Sequence, residues 1–206
     1  MLVHLRRSLV LAVVCLVFFG FVYSFAGVGV SQLLFKHQAD GSLTANGSPL
    51  IGQNWAATKC PGNPLGSCVF HGRPDDTGPY AATATSSGGD NPLVANGHDG
   101  ESGATNLGPR SKVLVADTKA LVAYWHNLGV DPTVDLVTTS GSGIDPDISA
   151  IDATVQIGMV SKATGISPSK LRTLIRQQTH SALLGFIGST YIDVLQLNEG
   201  LAKLER

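Results

Sequence analysis

The longest apolar run in the chain, Leu9–Val30, is relieved only by Gly20, Gly27 and Gly29 and by the small or weakly polar Cys15, Tyr23 and Ser24. Its 22 residues match the roughly 20 helical residues that cross a hydrocarbon core of about 30 Å. In lipid the backbone must bond to itself, so a single spanning segment is a helix. Ser8 to Phe35 contains no Asp, Glu, Lys, Arg or His; Arg6 and Arg7 precede it. Beyond it come Lys36 and His37, and then no basic residue until Lys59. The positive-inside rule therefore predicts a cytoplasmic N-terminus over 1–7, a transmembrane helix with its juxtamembrane stretch over 8–35, and an extracytoplasmic domain over 36–206. A cleaved signal peptide is the rival reading, with Ser24-Phe25-Ala26 as the cleavage site. Apolar character continues through Val28, Val30, Leu33, Leu34 and Phe35, longer than a secretory core of 7–15 residues, which favours a retained stem.

Past the stem the pattern changes. Gly41 to Pro109 is dense in turn dipeptides, among them Asp40-Gly41, Asn46-Gly47, Pro61-Gly62 and Asn96-Gly97, with apolar islands at Leu50-Ile51, Val69-Phe70 and Leu93-Val94. Ser86 to Thr105 is poor in bulky residues and reads as a surface excursion. Lys112 to Leu128 then places Val115, Leu121, Val122 and Trp125 near helical spacing, with Gly129 as the stop. Val134, Leu136 and Thr138 alternate, which predicts a short strand. Asp147 to Thr164 reads as one helix. It has Ser149 and Asp152 as a capping box, Ile148, Ile151, Val155 and Met159 as its apolar stripe, and Gly165 as its end. Ser167-Pro168 opens another helix buried through Leu171, Leu174 and Ile175. Val194, Leu197, Leu201 and Leu204 predict the last one. The sum is an α+β chain: one membrane helix plus a small domain of helices packed on a short sheet.

Composition narrows the function. Charged residues are 14% and the net charge is −1, so no basic field exists to attract nucleic acid. Cys60 and Cys68 fall on the predicted outer side and flank a turn-rich loop. A disulfide there would stabilise by roughly 2–3 kcal/mol. A metal site with His71 as third ligand and free thiols are the alternatives, but Cys-x7-Cys matches neither structural zinc nor redox spacing. Cys15, preceded by Val13-Val14, reads as a small apolar residue rather than a lipid attachment site.

Phe70-His71-Gly72-Arg73-Pro74 sits at a turn, where His71 and Arg73 either contact a partner or bond nearby carbonyls; the second reading is the simpler one. Asp135, Asp145 and Asp147 look like turn and pre-helix residues. Ser140 and Ser142 lack the strand-turn-helix context of a hydrolase nucleophile, which leaves a hydrolase using His71 and a serine without support. No catalytic, cofactor-binding or metal-binding residue emerges.

A sharper reading comes from several motifs in order. They are Gln38-Ala39-Asp40-Gly41-Ser42-Leu43, Leu50-Ile51-Gly52-Gln53, Phe70-His71-Gly72-Arg73-Pro74, Asp135 to Pro146, and Val194-Leu195-Gln196-Leu197-Asn198. With the single N-terminal span, they resemble the C subunit of the Kdp-type potassium-transporting ATPases over nearly the whole chain. The resemblance implies an accessory, non-catalytic subunit of a high-affinity potassium uptake complex in a bacterial plasma membrane. Its partners would be the potassium-conducting subunit and the P-type ATPase subunit, besides the bilayer. It would support assembly and raise the ATP affinity of the hydrolytic subunit, with ATP and potassium acting through the complex and no cofactor of its own. The motif positions Gln53, His71, Arg73, Ser140, Ser142, Asp145 and Gln156 become candidate contacts. A secreted, disulfide-stapled binding domain is the alternative function.

The chain departs from the family pattern in three places. The Ser-Gly-Gly-Ser-Asn-Leu-Gly-Pro stretch is split between Ser87–Asn91 and Ser102–Pro109. The Cys60–Cys68 segment looks inserted. Met159 stands where the pattern that keeps Gln156 and Val160 has an Arg.

Overall fold

A computed structural model describes residues 2–50, 52, 58, 60–64, 66–74, 105–142 and 145–205. The chain divides into two compact units, Met1–Leu43 and Thr44–Arg206.

The first unit is helical from Leu2 to Leu34: α1 (Leu2–Val17), a wider turn over Phe18–Tyr23, and α2 (Ser24–Leu34). None of these residues is buried, and mean hydropathy reaches 2.6. At about 1.5 Å per residue the helix is long enough to cross a bilayer. Its serine hydroxyls turn inward to the backbone, as lipid requires. Ser31 Oγ donates to the Gly27 carbonyl at 2.8 Å, and Ser24 Oγ to the Phe19 carbonyl, five residues back, at 3.3 Å. That second bond serves the wide turn, where the carbonyl register has slipped by one residue. Phe35 leaves helical geometry (φ −135°), and a single turn, α3 (Lys36–Ala39), follows.

In the second unit α4 (Lys112–Asn127) begins at Ser111, whose hydroxyl accepts from the Leu114 N–H, and ends at Gly129 in the left-handed region (φ +75°). Leu121 and Trp125 form its buried face, while Val115 is exposed. Trp125 Nε1 donates to the Leu136 carbonyl at 2.9 Å and so fastens α4 to the segment after it.

That segment is not the expected strand. Asp135–Val137 forms a tight 3₁₀ turn. Thr138 Oγ1 donates to the Val134 carbonyl at 2.8 Å, and the Leu136 N–H donates to Thr133 Oγ1. These local bonds offer the backbone a turn in place of a ladder. Burial accordingly falls on Leu136 and Val137 together rather than alternating.

The predicted Asp147–Thr164 helix is also divided. Asp147–Ile148 is a strand (β1), antiparallel to β2 (Ile192–Asp193) with Asp147 opposite Asp193 and Ile148 opposite Ile192. Ser149 and Asp152 form the capping box, opening α5 (Ala150–Val155). The helix breaks at Gln156 because that residue's own side-chain amide takes the Asp152 carbonyl (3.1 Å), while its backbone N–H turns to Thr154. It resumes as α6 (Ile157–Thr164) and stops at Gly165 (φ +74°). The buried face runs through Asp152, Ala153, Ile157, Met159 and Val160; Ile151 of the expected stripe is exposed.

α7 (Pro168–Gln178) buries Leu171, Leu174 and Ile175, and α8 (Val194–Leu204) buries Val194, Leu197 and Leu201, with Leu204 exposed. A Cβ on Gly200 of α8 would lie 2.7 Å from Leu174 Cδ1 of α7, so the two helices meet at a glycine. The fold class is α+β. With strands only two residues long, most of the core is helix against helix around Phe70, Leu136 and Ile192.

Candidate functional site

Two buried amides hold one stretch of extended backbone. Asn198 of α8 accepts the Phe70 N–H through Oδ1 at 2.8 Å and donates Nδ2 to the Phe70 carbonyl at 2.8 Å. Gln156 does the same one residue on. Its Oε1 accepts the His71 N–H at 2.8 Å and its Nε2 donates to the His71 carbonyl at 3.0 Å. Each side chain replaces a neighbouring strand, satisfying backbone groups that have no ladder to join. Phe70, His71 and Gln156 are wholly buried.

The His71 ring packs 5.0 Å from Trp125, and Nε2 donates to the Gly66 carbonyl at 2.7 Å. Burial drives its pKa down from 6.5 to about 4, against a smaller upward effect of the Gly66 bond. A ring that is sealed and neutral at pH 7 cannot serve as a base for an arriving substrate. Gly66 belongs to the loop closed by the Cys60–Cys68 disulfide, in which the Cys68 N–H donates to Cys60 Sγ. His71 thereby ties that loop to the core. Replacing both Cys60 and Cys68 by Ser is expected to lower stability by about 2 kcal/mol, the modest end of the range because the loop is short. Denaturant unfolding in detergent, with and without reductant, checks this: reductant should weaken the wild type and leave the variant unchanged.

Arg73 gathers the 135–145 segment. Its Nη2 donates to the Thr139 carbonyl at 3.0 Å and its guanidinium faces Thr138, with Asp135 and Asp145 carboxylates at 3.8 and 3.9 Å. Ser140 and Ser142 hydroxyls bond each other at 2.9 Å. Asp145 accepts the Asp147 N–H at 3.1 Å. Half-exposed ion pairs of that length contribute little, so the carbonyl bonds carry most of the effect. Arg73→Ala should cost about 1–2 kcal/mol and speed amide exchange at Thr138 and Thr139 while sparing α7 and α8.

The structure therefore joins His71 with Gln156, and Arg73 with Asp145. Gln53 lies outside the described residues, as do positions 86–104 of the glycine-rich excursion. Asn198, Thr139 and Trp125 take part in the same network; the sequence placed them in motifs or on an apolar face but not among the candidate contacts. The signal for Asn198 was a polar residue beside Leu197 and Leu201 on an apolar helix. Among the described residues no three His, Cys, Asp or Glu side chains converge as cation ligands.

One long apolar helix followed by a small α+β domain defines a class of protein, a membrane-stem chain carrying a single compact domain. Its similarity to known proteins is specific. The family model for KdpC, the c chain of the K+-transporting ATPase, matches residues 5–203. The potassium-transporting ATPase KdpC subunit of Methylobacterium nodulans is 39% identical, covering 99% of this chain and 98% of that one. The subunits of the same name from Bacillus cereus and Caulobacter vibrioides are 38% and 37% identical, covering 92% and 98% of this chain. The chain belongs to the KdpC family and is a subunit of a membrane-associated potassium-transporting ATPase complex.

Proposed function

We propose that the chain is the accessory, non-catalytic subunit of this pump, anchored by Leu9–Val30 with residues 36–206 outside the cytoplasm. There the domain docks on the potassium-conducting subunit, supports assembly and raises the ATP affinity of the P-type ATPase subunit. The observation that carries the reading is a family match from residue 5 to residue 203, which includes the stem as well as the domain. The arginine pair before the stem supports the orientation. With the domain outside and ATP inside, the effect on ATP is indirect. The domain binds one conformation of the pump better than another, and nucleotide affinity follows by linkage. The candidate contacts His71, Arg73, Ser140, Ser142, Asp145 and Gln156 act as the frame of the docking domain rather than as reacting groups.

Mild detergent extraction through a tag on Arg206 tests this. A potassium-stimulated ATPase should co-purify, and its KM for ATP should rise when this chain is left out. An unchanged KM would remove the ATP-affinity role. Protease added to the cytoplasmic face of oriented vesicles should leave the domain intact; its digestion from that side would overturn the indirect mechanism.

A further inference from the structure

Between α7 and β2 the chain makes a hairpin that the helical core does not use. His180 and Tyr191 exchange two backbone bonds (2.8 and 3.0 Å) and stack their rings 5.0 Å apart. Leu183 and Ile187 exchange two more, both 2.9 Å. The turn beyond them is held by the Gly185 N–H on the Ala182 carbonyl at 2.9 Å. The tip is apolar and bare. Leu184 is 76% exposed and Phe186 77%, with Leu183 and Ile187 beside them. From Thr179 to Ile192 there is no Lys, Arg, Asp or Glu.

Two features describe what the tip fits. First, its shape is fixed. Besides the paired bonds, Leu184 sits in the left-handed region (φ +54°), as do Gly185 and Gly188 (φ +80° and +84°). A branched side chain in that region is strained, and strained positions persist where the surroundings over-determine them, commonly at binding sites. A preformed knob reduces the ordering cost of docking on a shaped partner. Acyl chains take up an apolar side chain whatever the geometry of its turn, so the strain would gain nothing at a bilayer surface. Second, the tip has no cationic flank of the kind that holds apolar residues at anionic headgroups. An uncharged, desolvated protein socket is its complement, and exposed apolar clusters rimmed by polar residues mark such contacts.

We infer that the 180–191 hairpin is a docking knob, with Leu184 and Phe186 as anchors, that seats in an uncharged apolar socket on the potassium-conducting subunit. This rests on the docking role proposed above and names the surface that performs it.

The test uses the full chain, tagged at Arg206 and expressed with the rest of the complex. Leu184→Gly removes an anchor and relieves the backbone strain; Phe186→Ser removes the other at an exposed position. The pair should recover at least ten-fold less ATPase than wild type, with thermal unfolding of the variant chain unchanged or slightly raised. A benzophenone amino acid in place of Phe186 should crosslink to the potassium-conducting subunit on illumination; crosslinks to a different subunit only would overturn the assignment. Undiminished recovery by the pair, while wild type recovers ATPase, overturns this inference alone. Crosslinks confined to lipid overturn it in favour of the bilayer. Failure of the wild-type chain to recover any ATPase overturns the docking role itself, and the knob with it.

Discussion

Gln156→Ala should destabilise the domain by about 4 kcal/mol. The substitution removes the acceptor of the His71 N–H and the donor to the carbonyls of His71 and Asp152, all inside the protein. It also leaves a void where a wholly buried side chain stood. Loss of partners for buried backbone groups costs about 1–3 kcal/mol per group, and the cavity adds to that. Asn198→Ala removes the matching pair of bonds at Phe70 and should cost a similar amount. Because the two amides grip consecutive residues of one segment, the double variant should cost less than the sum, with a coupling of about 1 kcal/mol or more. Gln156→Glu separates the roles. It keeps an acceptor for the His71 N–H but turns a carboxylate toward two carbonyl oxygens, so it should be no better tolerated than Ala. Urea unfolding of the full chain in micelles measures all four. A Gln156→Ala loss below about 1 kcal/mol would mean that the 70–71 backbone is held by something else.

This clamp shows where the sequence was readable and where it was not. Features written locally were legible: an apolar run long enough to span, a capping box at Ser149 and Asp152, stops at Gly129 and Gly165, and Pro168 at the start of α7. Each depends on residues within a turn of one another, so spacing alone reports it. Gln156 and Asn198 depend on partners 85 and 128 positions away, and spacing along the chain does not name those partners. Gln156 misled twice. Placed inside a continuous Asp147–Thr164 helix, it hid both the break between α5 and α6 and the shift that exposes Ile151. The Val134–Thr138 alternation was a false strand signal, since the Thr133 hydroxyl accepting the Leu136 N–H and the Thr138 hydroxyl donating to the Val134 carbonyl hold the backbone in a turn, with no strand paired to it among the described residues. His71 and Arg73 were found as a motif, but one served to fasten a loop and the other to gather carbonyls. The resemblance marked the positions, and only the geometry separates holding the frame from touching a partner.

Acid should loosen the domain through His71. In the folded chain the ring stays neutral down to about pH 4, whereas in the unfolded chain it binds a proton near 6.5. A folded pKa below the unfolded one means that the stabilisation is complete above pH 6.5 and is lost as pH falls from there toward 4. At about 1.4 kcal/mol per unit the loss approaches about 3 kcal/mol. Asp147 and Asp193, opposite each other across the strand pair, act with the other sign. Burial raises both above 3.8, and for Asp147 the nearby Asp145 and Asp193 charges add to it. They bind protons more readily folded than unfolded, so they restore some stability as pH falls through their raised values toward 3.8. The expected profile is a steady decline below pH 6.5 that flattens as Asp147 and Asp193 take up their protons. His71→Gln, which has no ring to protonate, should start from a lower stability at pH 7 and show little decline between 6.5 and 5. Denaturant midpoints measured at half-unit steps give the two slopes, and ring proton shifts of His71 should stay unchanged until close to pH 4. Parallel declines in wild type and His71→Gln would show that the acid sensitivity lies elsewhere, and a His71 ring titrating near 6.5 in the folded chain would mean that water reaches the Gly66–Trp125 pocket.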